Sequence, residues 1–295
     1  MKILDGNTLS QQIRNEIKEQ VAQYVAQGNR KPHLAAILVG ENPASKAYVG
    51  MKIKDCEEVG FKSTLFKKEE SITEDELMKL IQELNEDNNL DGFIVQLPLP
   101  RHIDEDKILL AIDPIKDVDG FHPTNFGRMA QGLETFIPAT PFGIMRMLER
   151  FDVPTAGKHC VVIGRSNIVG RPMSILMSQK GGHANSTVTI CHSGTQDLNK
   201  YTKDADIIIA ALGQPYFLTA DMVKEGVTII DVGINRIDAD NKKGFKLVGD
   251  VDYESVKDKS AYITPVPGGV GPMTRAMLLE NTLLAYKRFF LQEEK

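Results

Sequence analysis

The chain has few cysteines, no block of basic residues and no long apolar run, and each lack closes off a class of protein. Cys56, Cys160 and Cys191 are the three cysteines of 295 residues, and they form no CxxC pair or Cys/His cluster of zinc spacing. Reduced thiols in a cytoplasmic compartment are expected. The formal net charge of −5 comes from interspersed charges, which argues against nucleic acid held by bulk electrostatics. No apolar run approaches the length that spans a bilayer, so no membrane partner is expected. The start, MKILDGNTLSQQIRNEI, turns charged and amphipathic at once, unlike a signal peptide or an Arg-rich transit sequence. The six histidines show no HExxH or similar spacing, and no metal is expected. Asp113, Asp117 and Asp119 follow a D-x3-D-x-D pattern interrupted by Pro114 and Lys116, which is not an EF-hand loop. A GxSxG nucleophile elbow is missing, and Cys56 has no evident His partner.

What is present reads as two α/β domains, with 42% hydrophobic residues to fill their cores. After a short strand, Leu9, Ile13, Ile17, Val21 and Val25 recur at helical spacing until Gly28. HLAAILVG is a buried strand, residues 45–59 a helix closed by Gly60, STLFKK a strand, TEDELMKLIQELNED a capped helix, and DGFIVQLPLP a third strand running into a proline-rich loop. Strands alternating with helices imply parallel pairing through crossovers, with ligands gathered at the carboxyl ends of the strands. IDPIKDVDGFHPTNFGRMAQG has turn chemistry and no apolar periodicity, so a long functional connection is expected there. A helix follows, with Thr140 as N-cap and Pro141 at its first position. A second alternating series, from KHCVVIG through AYITPVPGGVGPMT, reads as a Rossmann-like unit with a terminal helix over about 274–290. The expected domains are residues 1–139 with 274–295, and residues 140–273. The boundary falls near Thr124 if the linking helix is counted with the second domain.

Several groups of residues can carry chemistry. In YVGMK at 48–52, helical spacing puts the Tyr48 phenol and the Lys52 amine on one face, able to bind a flat ring and move protons. Alone, such a pair more often belongs to a solvated amphipathic helix. Gln96, at the end of the third strand, can orient the Lys52 amine or simply bond to backbone. The Asp119 carboxylate has the acceptor geometry for the amino and ring N–H edge of a heterocycle, or lies on a surface loop. Gly164-Arg165-Ser166 opens GRSNIVGRP, a strand, glycine turn and helix start of the kind that aims N–H groups at a phosphate. Its spacing is GxSxxxG rather than GxGxxG, and it also suits a packing turn. The next strand ends Cys191-His192-Ser193 without the carboxylate of NAD sites. Arg165 and the Ser193 hydroxyl can instead hold an additional phosphate, which favours NADP unless Arg165 is a solvated turn residue. Glycines among prolines at 267–271 form either a binding loop or a plain strand-to-helix connection.

YVGMK at 48–52, VQLPLP at 95–100, KDVDGF at 116–121, PATP at 138–141, GRSNIVGRP at 164–172, CHSGT at 191–195, DVGINR at 231–236 and PGGVGPMT at 267–274 together closely resemble the bifunctional methylenetetrahydrofolate dehydrogenase/methenyltetrahydrofolate cyclohydrolase family. The resemblance spans essentially the whole chain, and the order and spacing of the motifs are far more specific than any one of them. It implies oxidation of 5,10-methylenetetrahydrofolate by NADP, then hydrolysis of the methenyl product to 10-formyltetrahydrofolate, within one-carbon metabolism and purine biosynthesis. It implies catalytic roles for Lys52 as central polar group, Tyr48 stacking on the folate, Gln96 tuning Lys52, and Asp119 anchoring the pterin. Substrate contacts extend to Val95, Leu97, Pro267, Gly268, Gly269, Val270 and Gly271. Cofactor contacts fall to Gly164, Arg165, Ser166, Ser193 and Ile234, and a homodimer is expected. The stretch SQKGGHANSTVTI is longer than in many members of the family. A single-activity NADP oxidoreductase and a non-catalytic nucleotide-sensing protein are the rival readings, and the intact Tyr48, Lys52, Gln96 and Asp119 set speaks against both.

Overall fold

Seven consecutive buried residues, His33–Val39, form a strand that only a two-sided core can accommodate. The computed structural model of the protein describes residues 1–241 and 244–292. It divides into two units, Gln11–Ala139 with Arg275–Lys295 and Met1–Ser10 with Thr140–Thr274. Residues 293–295, expected in the first domain, lie outside the described residues. In chain order the strands are β1 (Lys2–Ile3), β2 (His33–Val39), β3 (Lys62–Lys68), β4 (Gly92–Val95), β5 (His159–Ile163), β6 (Thr187–Cys191), β7 (Ile207–Ala210), β8 (Val227–Asp231), β9 (Asn235–Asp238), β10 (Phe245–Val248) and β11 (Ser260–Ile263).

The unit built on Gln11–Ala139 holds the parallel sheet β3-β2-β4. Ile37 and Phe93 on the sheet pack with Leu77, Ile81 and Ile108 from the covering helices. The helix Glu74–Glu86 starts with a capping box between Thr73 and Glu76, the pattern its TEDE sequence announces. The helix Pro43–Val59 starts two residues before its expected position, because the Asn42 side chain accepts from Ala44 N and Ser45 N and Pro43 occupies the first turn. Its end matches expectation, with Gly60 at φ 84° donating to Cys56 O and Glu57 O.

The expected long connection is more ordered than its sequence suggests. It contains the helix Pro123–Ala130, started by His122, whose ring accepts from Thr124 N, and by Pro123 in the first turn. Only Asn125 and Met129 of that helix are buried, too short a stripe to read as periodicity. Asn281 Nδ2 donates to Val118 O at 2.8 Å and to Ile137 O at 2.9 Å, pinning the connection from the C-terminal segment.

The other unit holds a six-stranded parallel sheet, ordered β1-β11-β8-β7-β5-β6. The short first strand, expected with residues 1–139, pairs instead with β11 through Lys2 and Tyr262, and it carries Met1–Ser10 into this unit. The helix after the first connection runs Ala139–Arg150, so Thr140 lies within its first turn rather than capping it; its hydroxyl bonds the Thr274 hydroxyl at 3.0 Å. An antiparallel hairpin, β9 with β10, was not evident from sequence. The last helix begins at Val270, earlier than expected, runs to Ala285, and continues as a π-helical segment Tyr286–Leu291.

Candidate functional site

Two sets of functional residues assemble, one in each unit. In the first, the helix Pro43–Val59 buries Ser45, Val49, Cys56 and Val59 against the sheet, which leaves the Tyr48 and Lys52 face at the margin of the packed surface. Tyr48 is 36% exposed and Lys52 half-buried. Lys52 Nζ donates to Gln96 Oε1 at 3.3 Å. Gln96 follows β4 directly, its backbone N–H donating to Ile37 O at 2.9 Å and its side-chain Nε2 to Leu97 O at 2.8 Å. The amide therefore presents its oxygen to the amine while its nitrogen bonds to backbone. Val95 is buried in β4 and Leu97 is half-buried beside it.

Asp119 feels the Lys52 charge. Burial pushes its carboxyl above the usual carboxylate range, and the Lys52 ammonium opposes that shift. The loop carrying it is braced by two residues that sequence reading missed. Lys116 is buried and donates to Leu84 O at 2.9 Å and Asp87 O at 2.5 Å, carbonyls at the end of the helix Glu74–Glu86. Asp117 accepts from Phe121 N, His122 N and Asn125 Nδ2. Its burial raises the carboxyl to about 6 despite those donors. Burial also drives the Cys56 thiol to about 12, so no thiolate nucleophile stands beside Lys52. Asp55, on another face of the Lys52 helix, is buried 3.2 Å from Arg275 Nε, an ion pair with no separate sequence signal.

In the second unit, the glycine turn and the ends of its neighbours form a cradle. Gly164, at φ 131°, donates to Cys191 O at 2.8 Å, and a Cβ there would lie 2.3 Å from Ala211 O. A Cβ at Gly170 would lie 2.2 Å from Gly164 O. These glycines allow β5, β7 and the next helix to close on one another where the strand order reverses. Ser166 Oγ accepts from Val169 N at 3.1 Å and Gly170 N at 3.4 Å. The departure from GxGxxG thus has a physical role: the serine hydroxyl ties the turn to the N–H groups where the helix Gly170–Ser178 begins, and residues 165–168 stay exposed.

Arg165 and Ser193 each lie two residues beyond Ile163 and Cys191, which are paired across β5 and β6. The CHSGT turn is tied by His192 N donating to Thr195 Oγ1 and Gly194 N donating to His192 Nδ1, while Ser193 remains exposed. Residues 192–196 contain no carboxylate. A guanidinium and a hydroxyl on adjacent strand ends, with no anion between them, fit a phosphate on the ribose of a dinucleotide.

Ile234, 51% exposed, and the loop residues Pro267, Gly268, Gly269, Val270 and Gly271 line a common cavity of about 370 Å³, with Asn7 and Asp231 in its wall. The sequence reading gave Ile234 to cofactor and the loop to substrate. The structure brings them together at the ends of β8 and β11. Among the described residues, no group of three or more His, Cys, Asp or Glu is arranged to hold a metal ion, and no helix is long and apolar enough to cross a membrane.

Comparison with known proteins also gives two domains that meet near residue 138, but it counts residues 4–10 with the first and 275–290 with the second. The sequence model described as tetrahydrofolate dehydrogenase/cyclohydrolase, catalytic domain, matches residues 4–119, and the NAD(P)-binding domain of the same description matches residues 138–290. The chain is 68% identical to the bifunctional protein FolD of Flavobacterium johnsoniae over 97% of this chain and 98% of that protein. Its fold is similar to the bifunctional FolD methylenetetrahydrofolate dehydrogenase/cyclohydrolase of Campylobacter jejuni, with TM-score 0.92 and 52% identity, covering 98% of this chain and 99% of that one. It is likewise similar to the Trypanosoma brucei methylenetetrahydrofolate dehydrogenase-cyclohydrolase solved with NADP and an inhibitor, with TM-score 0.91 and 35% identity, covering 97% of each chain.

Proposed function

We infer, from the premise that the chain belongs to the tetrahydrofolate dehydrogenase/cyclohydrolase family, that it carries out both reactions. It oxidises 5,10-methylenetetrahydrofolate with NADP to the 5,10-methenyl cation, and it hydrolyses that cation to 10-formyltetrahydrofolate. The observation that carries this reading is the hydrogen bond from Lys52 to Gln96, with Asp119 close enough to feel the same amine.

Lys52 is the group that moves protons. Water adding to the methenyl carbon must lose a proton, and the ring nitrogen released on opening must gain one; an amine held by the Gln96 oxygen can serve these transfers at Nζ. Tyr48, one helical turn away, offers its ring as a stacking face for the folate. Asp119 accepts from the amino and ring N–H groups of the pterin, while Val95 and Leu97 contribute wall. NADP, when bound, is the oxidant for the first reaction. Arg165 and Ser193 hold its additional phosphate, Gly164 and Ser166 give its pyrophosphate close approach, and Ile234 contacts it from the wall of the 370 Å³ cavity. The loop 267–271 contacts substrate.

A homodimer in the cytoplasm completes the proposal. Three buried, unpaired thiols suit a reducing compartment. A solution mass of one chain would remove the dimer. The function is tested by incubating the protein with methylenetetrahydrofolate and NADP or NAD, following methenyl absorbance and reduced cofactor separately. Faster reduction of NADP than NAD, with methenyl product consumed faster than in buffer, is expected. Methenyl product persisting as in buffer would leave a dehydrogenase alone, and no reduction would leave a binding protein.

A further inference from the structure

The loops after β7 and β8 are held by two buried carboxylates, Asp231 and Asp250, 3% and 0% exposed. Asp250 accepts three successive backbone N–H groups, Leu212 at 2.6 Å, Gly213 at 2.9 Å and Gln214 at 2.9 Å. Its Oδ1 also accepts from Asn235 Nδ2 at 2.8 Å. Asp231 is tied back to the same segment: its Oδ1 accepts from Gly233 N and Asp250 N, both at 2.9 Å, and its Oδ2 from Val251 N at 3.1 Å. Each carboxylate lies against a glycine. A Cβ at Gly233 would lie 2.3 Å from Asp250 Oδ1, and one at Gly249 would lie 1.7 Å from Asp231 Oδ2. DVG at 231–233 and GDV at 249–251 are thus two halves of one lock, each aspartate fitting where the other half has no side chain.

The lock joins two parts of the dinucleotide unit. Leu212 directly follows Ala211, whose carbonyl lies where a Gly164 side chain would be. On the other side, Asn235 directly follows Ile234 in the cavity wall. We propose that Asp250, interlocked with Asp231, is a cofactor-positioning residue: it fixes the cavity wall at Ile234 relative to the glycine turn at Gly164, so that both meet one NADP molecule. Neither Asp250 nor Asn235 lines the cavity, so both act through other residues. The proposal rests on the bifunctional reading above.

Asp250→Asn places an amide N–H among the N–H groups that the carboxylate now accepts, at the cost of charge-assisted hydrogen bonds. The expected result is an NADP dissociation constant weakened by about tenfold in titration calorimetry. Hydrolysis of methenyltetrahydrofolate, assayed without NADP, should stay within about twofold of wild type, since that reaction needs no dinucleotide. If Asp250→Asn fails to fold, Asn235→Ala removes one neutral donor to the same carboxylate and should weaken NADP by about threefold with hydrolysis retained. Unchanged NADP affinity in a folded variant overturns the proposal, as does an equal loss of NADP binding and hydrolysis. A wild-type protein without hydrolysis would contradict the bifunctional reading instead, while the NADP titrations would still decide the role of Asp250.

Discussion

Lys52 is oriented by a neighbour that is itself held twice, by the backbone of β2 and by its own Leu97 carbonyl. Such layering fixes the geometry at the amine, because the acceptor it donates to cannot rotate away. The same layering supports Asp119 through Asp117 one residue removed, and that carboxyl has a measurable signature. Its pKa rises from 3.8 to about 6 on folding, with burial as the main cause. Between these values the native protein binds more protons than the unfolded chain. Asp117 therefore contributes most to stability below about pH 4, and that contribution is lost as pH rises through 6. Urea unfolding across this range should show stability falling with pH more steeply in the wild type than in Asp117→Asn, by up to about 1.4 kcal/mol per pH unit, with the slope that remains in the variant owed to other buried carboxyls such as Asp231. Parallel curves for the two proteins would remove the burial argument. Lys52, Gln96 and Asp119 were legible in the sequence only through the joint order and spacing of YVGMK, VQLPLP and KDVDGF, since each alone also suits a solvated helix, a strand end bonded to backbone or a surface loop. Asp231 and Asp250 were not, because their partners are backbone N–H groups brought together only by β7, β8 and the segment after β10.

At the scale of elements, periodicity revealed what is long and amphipathic, and missed what is short and held by caps. The helix Glu74–Glu86 and the all-buried strands β2, β4, β7 and β8 follow directly from residue pattern. The helix Pro123–Ala130 buries two residues and depends on a histidine cap, so pattern alone could not find it. The hairpin of β9 and β10 is likewise short and half-exposed. Capping matters most for the helix Pro43–Val59, since Tyr48 and Lys52 ride on it. Asn42→Ala removes the acceptor for Ala44 N and Ser45 N and should destabilise the protein by about 1 kcal/mol, read as a lower urea midpoint with unchanged slope. A midpoint equal to wild type would mean that Pro43 alone starts the helix.

At the scale of the whole molecule, the chain folds as two units whose chemistry differs in kind. One carries an amine, an amide and a carboxylate, which under the proposed function move protons on a folate and anchor it; the other carries a glycine turn and an Arg165/Ser193 strand end, which under it hold a phosphorylated dinucleotide. The central claim is that Lys52 is the proton carrier for hydrolysis, while oxidation draws chiefly on the bound dinucleotide. The direct test is to measure both activities in Lys52→Met, which keeps the bulk of the side chain and removes the amine. Hydrolysis of the methenyl compound should fall by about 100-fold or more, with NADP reduction surviving at a reduced rate. Near-normal hydrolysis in a folded Lys52→Met protein would contradict the account.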